Sequence, residues 1–305
     1  MYSVLESKKS GNDVDLARTA SGRSALVPST LRAQIEAFRT CPPPAGCMLL
    51  KGLPVGDLPP TPASPTAAID KTNATELQLL TIASLLGEPV GYLPEHGGDV
   101  VQNIVPVRES AARQTSTSSK VDLMFHTEAA FHPHRPRYLL LFCLRGDPQA
   151  RTTLASISMA LPYLAPDVIE VLLQKRFRCA VDESYLHGRA NLLGSPMAVL
   201  AGDLAGGPES PTMVFDQDLM MGIDEEADEA LAEFGRALAA HHDGVVLEPG
   251  DLLVIDNDVV VHGRSPFSAR FDGTDRWLQR TFVVDDLAAS AGERTGRVIT
   301  TVFGE

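Results

Sequence analysis

No stretch of the 305-residue chain approaches the roughly 18 uninterrupted apolar residues that a membrane span requires. Cysteine is scarce: Cys41, Cys47, Cys143 and Cys179 are the only four. Cys41 and Cys47 bracket a Pro-Pro-Pro-Ala-Gly turn, and no His or Cys pair elsewhere completes a zinc pattern. Cys143 sits in the apolar run YLLLFCLRG as a small buried hydrophobe, so no disulfide framework is expected. Positive charge is also in deficit. Lys and Arg total 26 against 39 Asp and Glu, a net charge of −13, which argues against nucleic acid as a partner. Such an excess of acid suits a cationic small molecule. The N-terminus, MYSVLESKKSGNDVDLARTASGRS, lacks the charged-then-apolar layout of a signal peptide, and a cytoplasmic protein is the expectation.

What is present is globular. Residues 1–25 are polar and aperiodic and read as a mobile or loosely docked arm, with one domain over 26–305. Leu31 to Arg39 reads as a short amphipathic helix that stops at three prolines, and CMLLKGLPV as a buried strand and turn. Thr75 to Leu86 is predicted as a helix with Thr75 and Gln78 in capping-box positions, closed by Gly87 and Pro89. Met159 to Phe177 and Asp224 to His242 are predicted as further helices, the second with an acidic first turn. Strand-like runs over 137–146, 150–157, 196–203 and 212–219, and again through the final third, are broken by Gly-Asp and Asp-Asn turns. The expected fold is mainly β with helices packed on one side: a double-stranded β-helix, or jelly roll, of the cupin kind. Two polar stretches, 108–120 and 202–210, are candidate lids.

Chemistry concentrates in three places. His126-Thr127-Glu128 follows the apolar run VDLMF, and in a strand positions i and i+2 share a face, so His126 and Glu128 can address one centre. His262, in VVVHGR after another strand, offers a third ligand. Two histidines and a carboxylate on one face leave three octahedral positions open, the facial arrangement of non-haem Fe(II) oxygenases. Fourteen positions after His262 stands Arg276, and four further on Arg280. A guanidinium is a planar fork suited to gripping a carboxylate.

Here a resemblance emerges. HTEAAFHPHRPRYLLLFCLRGD, GDLLVIDNDVVVHGRSPF and RFDGTDRWLQRTFVV resemble the clavaminate synthase and arginine or asparagine hydroxylase family, a branch of the taurine-dioxygenase-like enzymes marked by Glu in the metal motif. The similarity runs from about residue 30 to the end of the chain. It implies Fe(II) held by His126, Glu128 and His262, with O2 and 2-oxoglutarate as cosubstrates. It also implies that Arg276 grips the 2-oxoglutarate with help from a threonine in ARTTLA, for which Thr153 is preferred to Thr152. Arg280 is implied to bind the substrate α-carboxylate. The reaction implied is hydroxylation of an unactivated C–H, most often at the β-carbon of a free amino acid, in natural-product biosynthesis.

Asp216 and Asp218, in FDQDL, correspond to an acidic pair that receives the cationic side chain in the arginine hydroxylases of this family. Paired carboxylates beside a pocket call for a cation, so arginine, lysine or a cyclic arginine derivative fits better than asparagine. Gln102 and Asn103 resemble the segment that touches the substrate amine, and Ser184 a segment that lines the pocket. His132 and His134 are read as non-ligands, and His241 and His242 as partners of helix-terminal carbonyls. Within the family, a desaturase, cyclase or asparagine-type hydroxylase is the alternative. Outside it stand a zinc hydrolase, whose H-E-x-x-H helix is absent from this sequence, and a non-catalytic jelly-roll binding protein.

Overall fold

The computed structural model describes residues 10–186, 188–204 and 211–304. Two mainly antiparallel sheets organise it. In the major sheet the order is β1 (Cys47–Leu50), β12 (Leu252–Asp256), β5 (Tyr138–Arg145), β14 (Trp277–Val284), β2 (Glu88–Tyr92), β16 (Val298–Ile299) and β15 (Arg294–Thr295). A further strand, β3 (Gln102–Ile104), pairs with β14, and β16 runs parallel to β2. The minor sheet has the order β11 (Asp243–Val246), β6 (Arg151–Ser156), β13 (Val260–Arg264) and β4 (Leu123–His126). Two short ribbons complete the set: β7 (Phe177–Cys179) with β10 (Met220–Gly222), and β8 (Leu200–Ala201) with β9 (Thr212–Met213).

Strand alternation sorts the side chains into layers. Leu139, Leu141 and Cys143 of β5, Leu253 and Ile255 of β12, and Leu278 and Phe282 of β14 pack with Leu154 and Val260 of the minor sheet in one apolar cluster. The alternate residues, among them Leu140, Phe142, Val254, Trp277 and Val283, face helices α1 (Ser10–Arg23), α2 (Ser29–Thr40) and α3 (Ala74–Ala83). On the far side of the minor sheet, Phe125, Ala155 and Val261 pack with α5 (Pro166–Leu172) and α7 (Glu225–Ala240). Helices therefore cover both outer faces rather than one. Short helices α4 (Ile157–Ala160) and α6 (Glu183–Leu186) fill the connections.

Several expectations are corrected. Residues 10–23 form a helix, and its Ala17 and Ala20 are fully buried against the α3 layer. Small side chains let two helices approach closely without the large apolar stripe that periodicity detects. The span Met159 to Phe177 is split into α4, a 3-10 turn over Leu161–Tyr163, and α5, because Pro162 and Pro166 each stop the preceding turn. The capping box at Thr75 does not form: α3 starts one residue earlier, and the Thr75 hydroxyl contacts Lys71 and Glu76. Asp224 does cap α7, accepting a hydrogen bond from the Ala227 amide at 3.0 Å. Of the stretch 202–210, residues 205–210 lie outside the described residues.

Candidate active site

The chain places His126, Glu128 and His262 together by pairing β4 with β13, so that His126 stands opposite His262 in the register. Their ligand atoms lie within 4.8 Å of one another, His262 Nε2 is 3.6 Å from Glu128 Oε2, and the two imidazole centroids are 4.2 Å apart. His126 Nδ1 is 2.8 Å from the Met124 carbonyl oxygen. That contact makes Nδ1 the protonated nitrogen and leaves the Nε2 lone pair free for a metal. Glu128 is fixed through its backbone. Its amide donates to Asn257 Oδ1 at 2.8 Å, while Asn257 Nδ2 donates to the Glu128 carbonyl at 3.1 Å. The next residue, Ala129, has φ of +52°, a left-handed conformation that costs a non-glycine residue about 1–2 kcal/mol. The strain is held where the chain must turn its carboxylate toward the imidazoles.

Electrostatics favour a cation at this point. Burial opposes ionisation of Glu128, but Arg280, His262 and His126 outweigh it and hold its carboxyl down at about 2. Burial, followed by His126, holds His262 down at about 4, so its imidazole is neutral near pH 7. A buried carboxylate beside two imidazoles is a donor set for a borderline divalent ion, iron included.

Behind the triad lies an inner cavity of about 50 Å3, lined by Leu139, Leu141, Thr152, Arg264, Arg276 and Leu278, among others. Arg276 is buried, and among the described residues its guanidinium has no hydrogen-bond acceptor or ion-pair partner; burial lowers it to about 10. The Thr152 hydroxyl is likewise buried without a partner. A buried fork and a buried hydroxyl around one small space fit a carboxylate. This corrects the preference for Thr153. Thr152 and Leu154 point into the space between the sheets, whereas Thr153 is on the opposite side of β6. Counting from His126 could not settle a choice that depends on which residue of the strand points inward.

In front of the triad is an outer cavity of about 290 Å3, which includes Arg280, Asp216, Asp218 and Ser184 in its walls. Arg280 Nη1 lies 3.4 Å from both carboxylate oxygens of Glu128. Its Nε donates to Gln102 Oε1 at 3.0 Å, and its Nη2 contacts Glu95. Gln102 is thus a partner of Arg280, buried behind it on β3. Asn103 points the other way and accepts a hydrogen bond from Trp277 Nε1 at 2.8 Å. Asp216 is buried, pushed upward in pKa mainly by that burial, and accepts from the amides of Asp218 and Leu219. Asp218 is exposed at the rim. The Ser184 hydroxyl donates to Asp182 at 2.5 Å. Glu95 was not singled out in the sequence; its only signal is an acid in the turn PEHGG ahead of β3, where acids are ordinary.

The histidines set aside stay away from the metal site. His132 is buried among Tyr92, Phe131 and Phe303. His242 Nδ1 meets the Ala239 carbonyl at 2.7 Å at the end of α7, and His241 stacks on Tyr163.

Comparison with known proteins decides the class. The taurine catabolism dioxygenase TauD, TfdA family matches residues 45–282. The chain belongs to that family of Fe(II)- and 2-oxoglutarate-dependent oxygenases. It is 40% identical over 296 residues to the L-lysine 3-hydroxylase of Catenulispora acidiphila, covering 95% of this chain and 82% of that one. Asparagine oxygenase in complex with Fe(II), 2S,3S-3-hydroxyasparagine and succinate superposes with a TM-score of 0.83 at 34% identity, over 94% of this chain and 97% of that one. The non-haem iron oxygenase OrfP in complex with Fe, succinate and (3S)-hydroxy-L-Arg gives 0.84 at 30% identity, over 95% and 92%. The zinc hydrolase and the binding module are thereby set aside. No described helix is long and apolar enough to cross a membrane.

Proposed function

We propose that this oxygenase hydroxylates the β-carbon of a free basic L-amino acid, on a double-stranded β-helix formed by its two sheets. The observation that carries the substrate class is the composition of the outer cavity. Its walls hold Glu95, Glu128, Asp182, Asp216 and Asp218 against the single cation of Arg280. An amino acid with a positively charged side chain brings two cationic groups and one carboxylate, the complement of that set. Lysine hydroxylation by the Catenulispora relative and the hydroxyarginine bound in OrfP support the same reading.

Each residue then has a task. Arg280 receives the α-carboxylate, and Gln102 holds the guanidinium in plane by accepting from its edge. Glu95, now in contact with Arg280, is placed to take the α-ammonium. Asp216 and Asp218 receive the distal cation, and Ser184 orients Asp182 on the same wall. Arg276 and Thr152 hold the distal carboxylate of 2-oxoglutarate in the inner cavity. Iron, held by His126, Glu128 and His262, supplies with O2 and 2-oxoglutarate the oxidising equivalent that turns C–H into C–OH, leaving succinate and CO2. The protein binds both organic acids on opposite sides of the triad and keeps bulk water out by burial.

The test is anaerobic loading with Fe(II), then O2 with 2-oxoglutarate and a panel of free amino acids, following succinate and product mass together. A gain of about 16 mass units on lysine, arginine or a cyclic arginine derivative, matched to succinate, supports the proposal. Equal turnover of asparagine removes the argument from Asp216 and Asp218. A loss of about 2 mass units shows desaturation instead.

A further inference from the structure

The metal strand β4 is the edge of the minor sheet, and it is irregular. Between the pair His126–His262 and the pair Leu123–Arg264, β4 advances three residues while β13 advances two. One extra residue in one strand of an antiparallel pair is a β-bulge, which re-aims nearby side chains and loosens the ladder. Gly263 sits opposite the bulge: a Cβ there would lie 2.4 Å from the Leu123 carbonyl oxygen, so only glycine permits the close approach.

Met124 lies within this irregular stretch, and both its backbone groups are engaged outside the ladder. Its carbonyl accepts from His126 Nδ1 at 2.8 Å. Its amide donates to Gln114 Oε1 at 3.0 Å, and Gln114 Nε2 donates to the Asp122 carbonyl at 2.9 Å. One side-chain amide therefore supplies the two bonds that a neighbouring strand would give to this edge. Gln114 belongs to the loop 108–120, whose Gln114, Thr115, Ser116 and Thr117 form a wall of the outer cavity. The preceding residue, Arg113, reaches across to an ion pair with Glu183, next to the cavity residues Asp182 and Ser184.

We propose that Gln114 is a positioning residue: it locks the loop over the outer cavity onto the bulge in β4 and so fixes the Met124 carbonyl that orients the His126 imidazole. The chain of contacts is continuous, from cavity wall to side-chain amide to peptide to metal-ligand ring. An engaged loop favours the ligand geometry of His126, and by reciprocity a bound metal favours the engaged loop. The inference rests on the reading of His126, Glu128 and His262 as the metal site.

Both directions can be measured without turnover, using Co(II) alone. Trypsin can cut the loop after Arg108, Arg113 or Lys120, and Arg113 adjoins Gln114. In the wild type, Co(II) slows cleavage after Arg113 several-fold. In Gln114→Ala, Co(II) affinity falls about tenfold, the low end for residues that orient a ligand, and the protection ratio with and without metal drops to one. Gln114→Glu keeps the acceptor for Met124 but not the donor for Asp122, and falls between the two. Wild-type affinity and equal protection in Gln114→Ala overturn the inference while leaving the metal site standing. So does a loss of affinity that merely tracks a lower melting temperature of the metal-free variant with protection unchanged. Failure of the wild type to bind Co(II) overturns the metal-site reading and this inference together.

Discussion

Arg280 and Glu128 face each other at 3.4 Å, so the cation assigned to the substrate carboxylate also touches the carboxylate assigned to the metal. Substrate binding and metal electrostatics are therefore not independent. Replacing Arg280 with Gln leaves Glu95 and Glu128 buried without their cation, a loss that costs about 3–5 kcal/mol when one partner of a buried pair is removed. Amino-acid-dependent succinate formation in Arg280→Gln is expected to fall at least about a hundredfold in kcat/KM, with Co(II) affinity changed as well. Unchanged kinetics with lysine and arginine would remove Arg280 from the head-group site.

Arg276 and Thr152 predict a separate phenotype. In Arg276→Gln the KM for 2-oxoglutarate should rise about a hundredfold, as expected for loss of a buried bidentate charge pair, while Co(II) binding stays as in the wild type. Thr152→Val should raise the same KM by about tenfold, the value of one hydrogen bond to a charged group. Thr153→Val should leave it alone. A reversed result for the two threonines would mean that the inner cavity is not the oxo-acid site.

Asp216 and Asp218 are predicted to set charge preference rather than rate. Asp216→Asn should lower kcat/KM for basic amino acids by at least about tenfold relative to neutral ones. Asp218→Asn, at the exposed rim, should do so more weakly because solvent screens it. Parallel losses on basic and neutral substrates would assign the pair a purely structural role as the turn that starts at Asp216.

How much of this was legible beforehand varies with the kind of constraint. The metal residues could be read because H-x-E and His262 each follow an apolar strand run and the resemblance joined them; the i and i+2 argument did not carry it, since β4 ends at His126 and Glu128 lies beyond it. Arg276 and Arg280 stood out as two forks four residues apart, but the roles proposed for them came from the resemblance. The choice between Thr152 and Thr153 could not be read, since a shift of one residue reverses the face of a strand. Glu95 and Gln114 were invisible for another reason: each meets its partner, Arg280 or Met124, through a contact that no motif or spacing marks. Helix α1 escaped because the fully buried side chains described on it are small alanines, Ala17 and Ala20, and the break after α4 was underestimated because two prolines each ended a turn. The strand-like runs of β5 and β14 were clear, but the helical cover on both faces depended on where the connections run.

His132 gives a pH prediction. Burial, with a smaller push from His134, holds its imidazole down at about 3, below the ordinary value of 6.5. The folded protein thus binds fewer protons at this site than the unfolded chain. Its stabilising contribution is complete above about pH 6.5 and is lost as pH falls toward 3, with a slope of up to about 1.4 kcal/mol per pH unit. Urea midpoints measured between pH 7 and 4 should fall less steeply in His132→Asn than in the wild type. Equal slopes would mean that His132 is protonated in the native state.

The division of labour between the sheets has a consequence for changing this enzyme. His126 and His262 ride on the minor sheet, whereas Arg280 rides on the major one and Arg276 immediately precedes its strand β14. The span from metal to guanidinium is thus an inter-layer distance, set by side chains such as Leu139, Leu141 and Leu278 that pad the gap and also line the inner cavity. Volume changes at those leucines act as a spacer adjustment. Selection for a shorter or longer oxo-acid would find its solutions in that padding, leaving the metal ligands and the amino-acid cavity as they are.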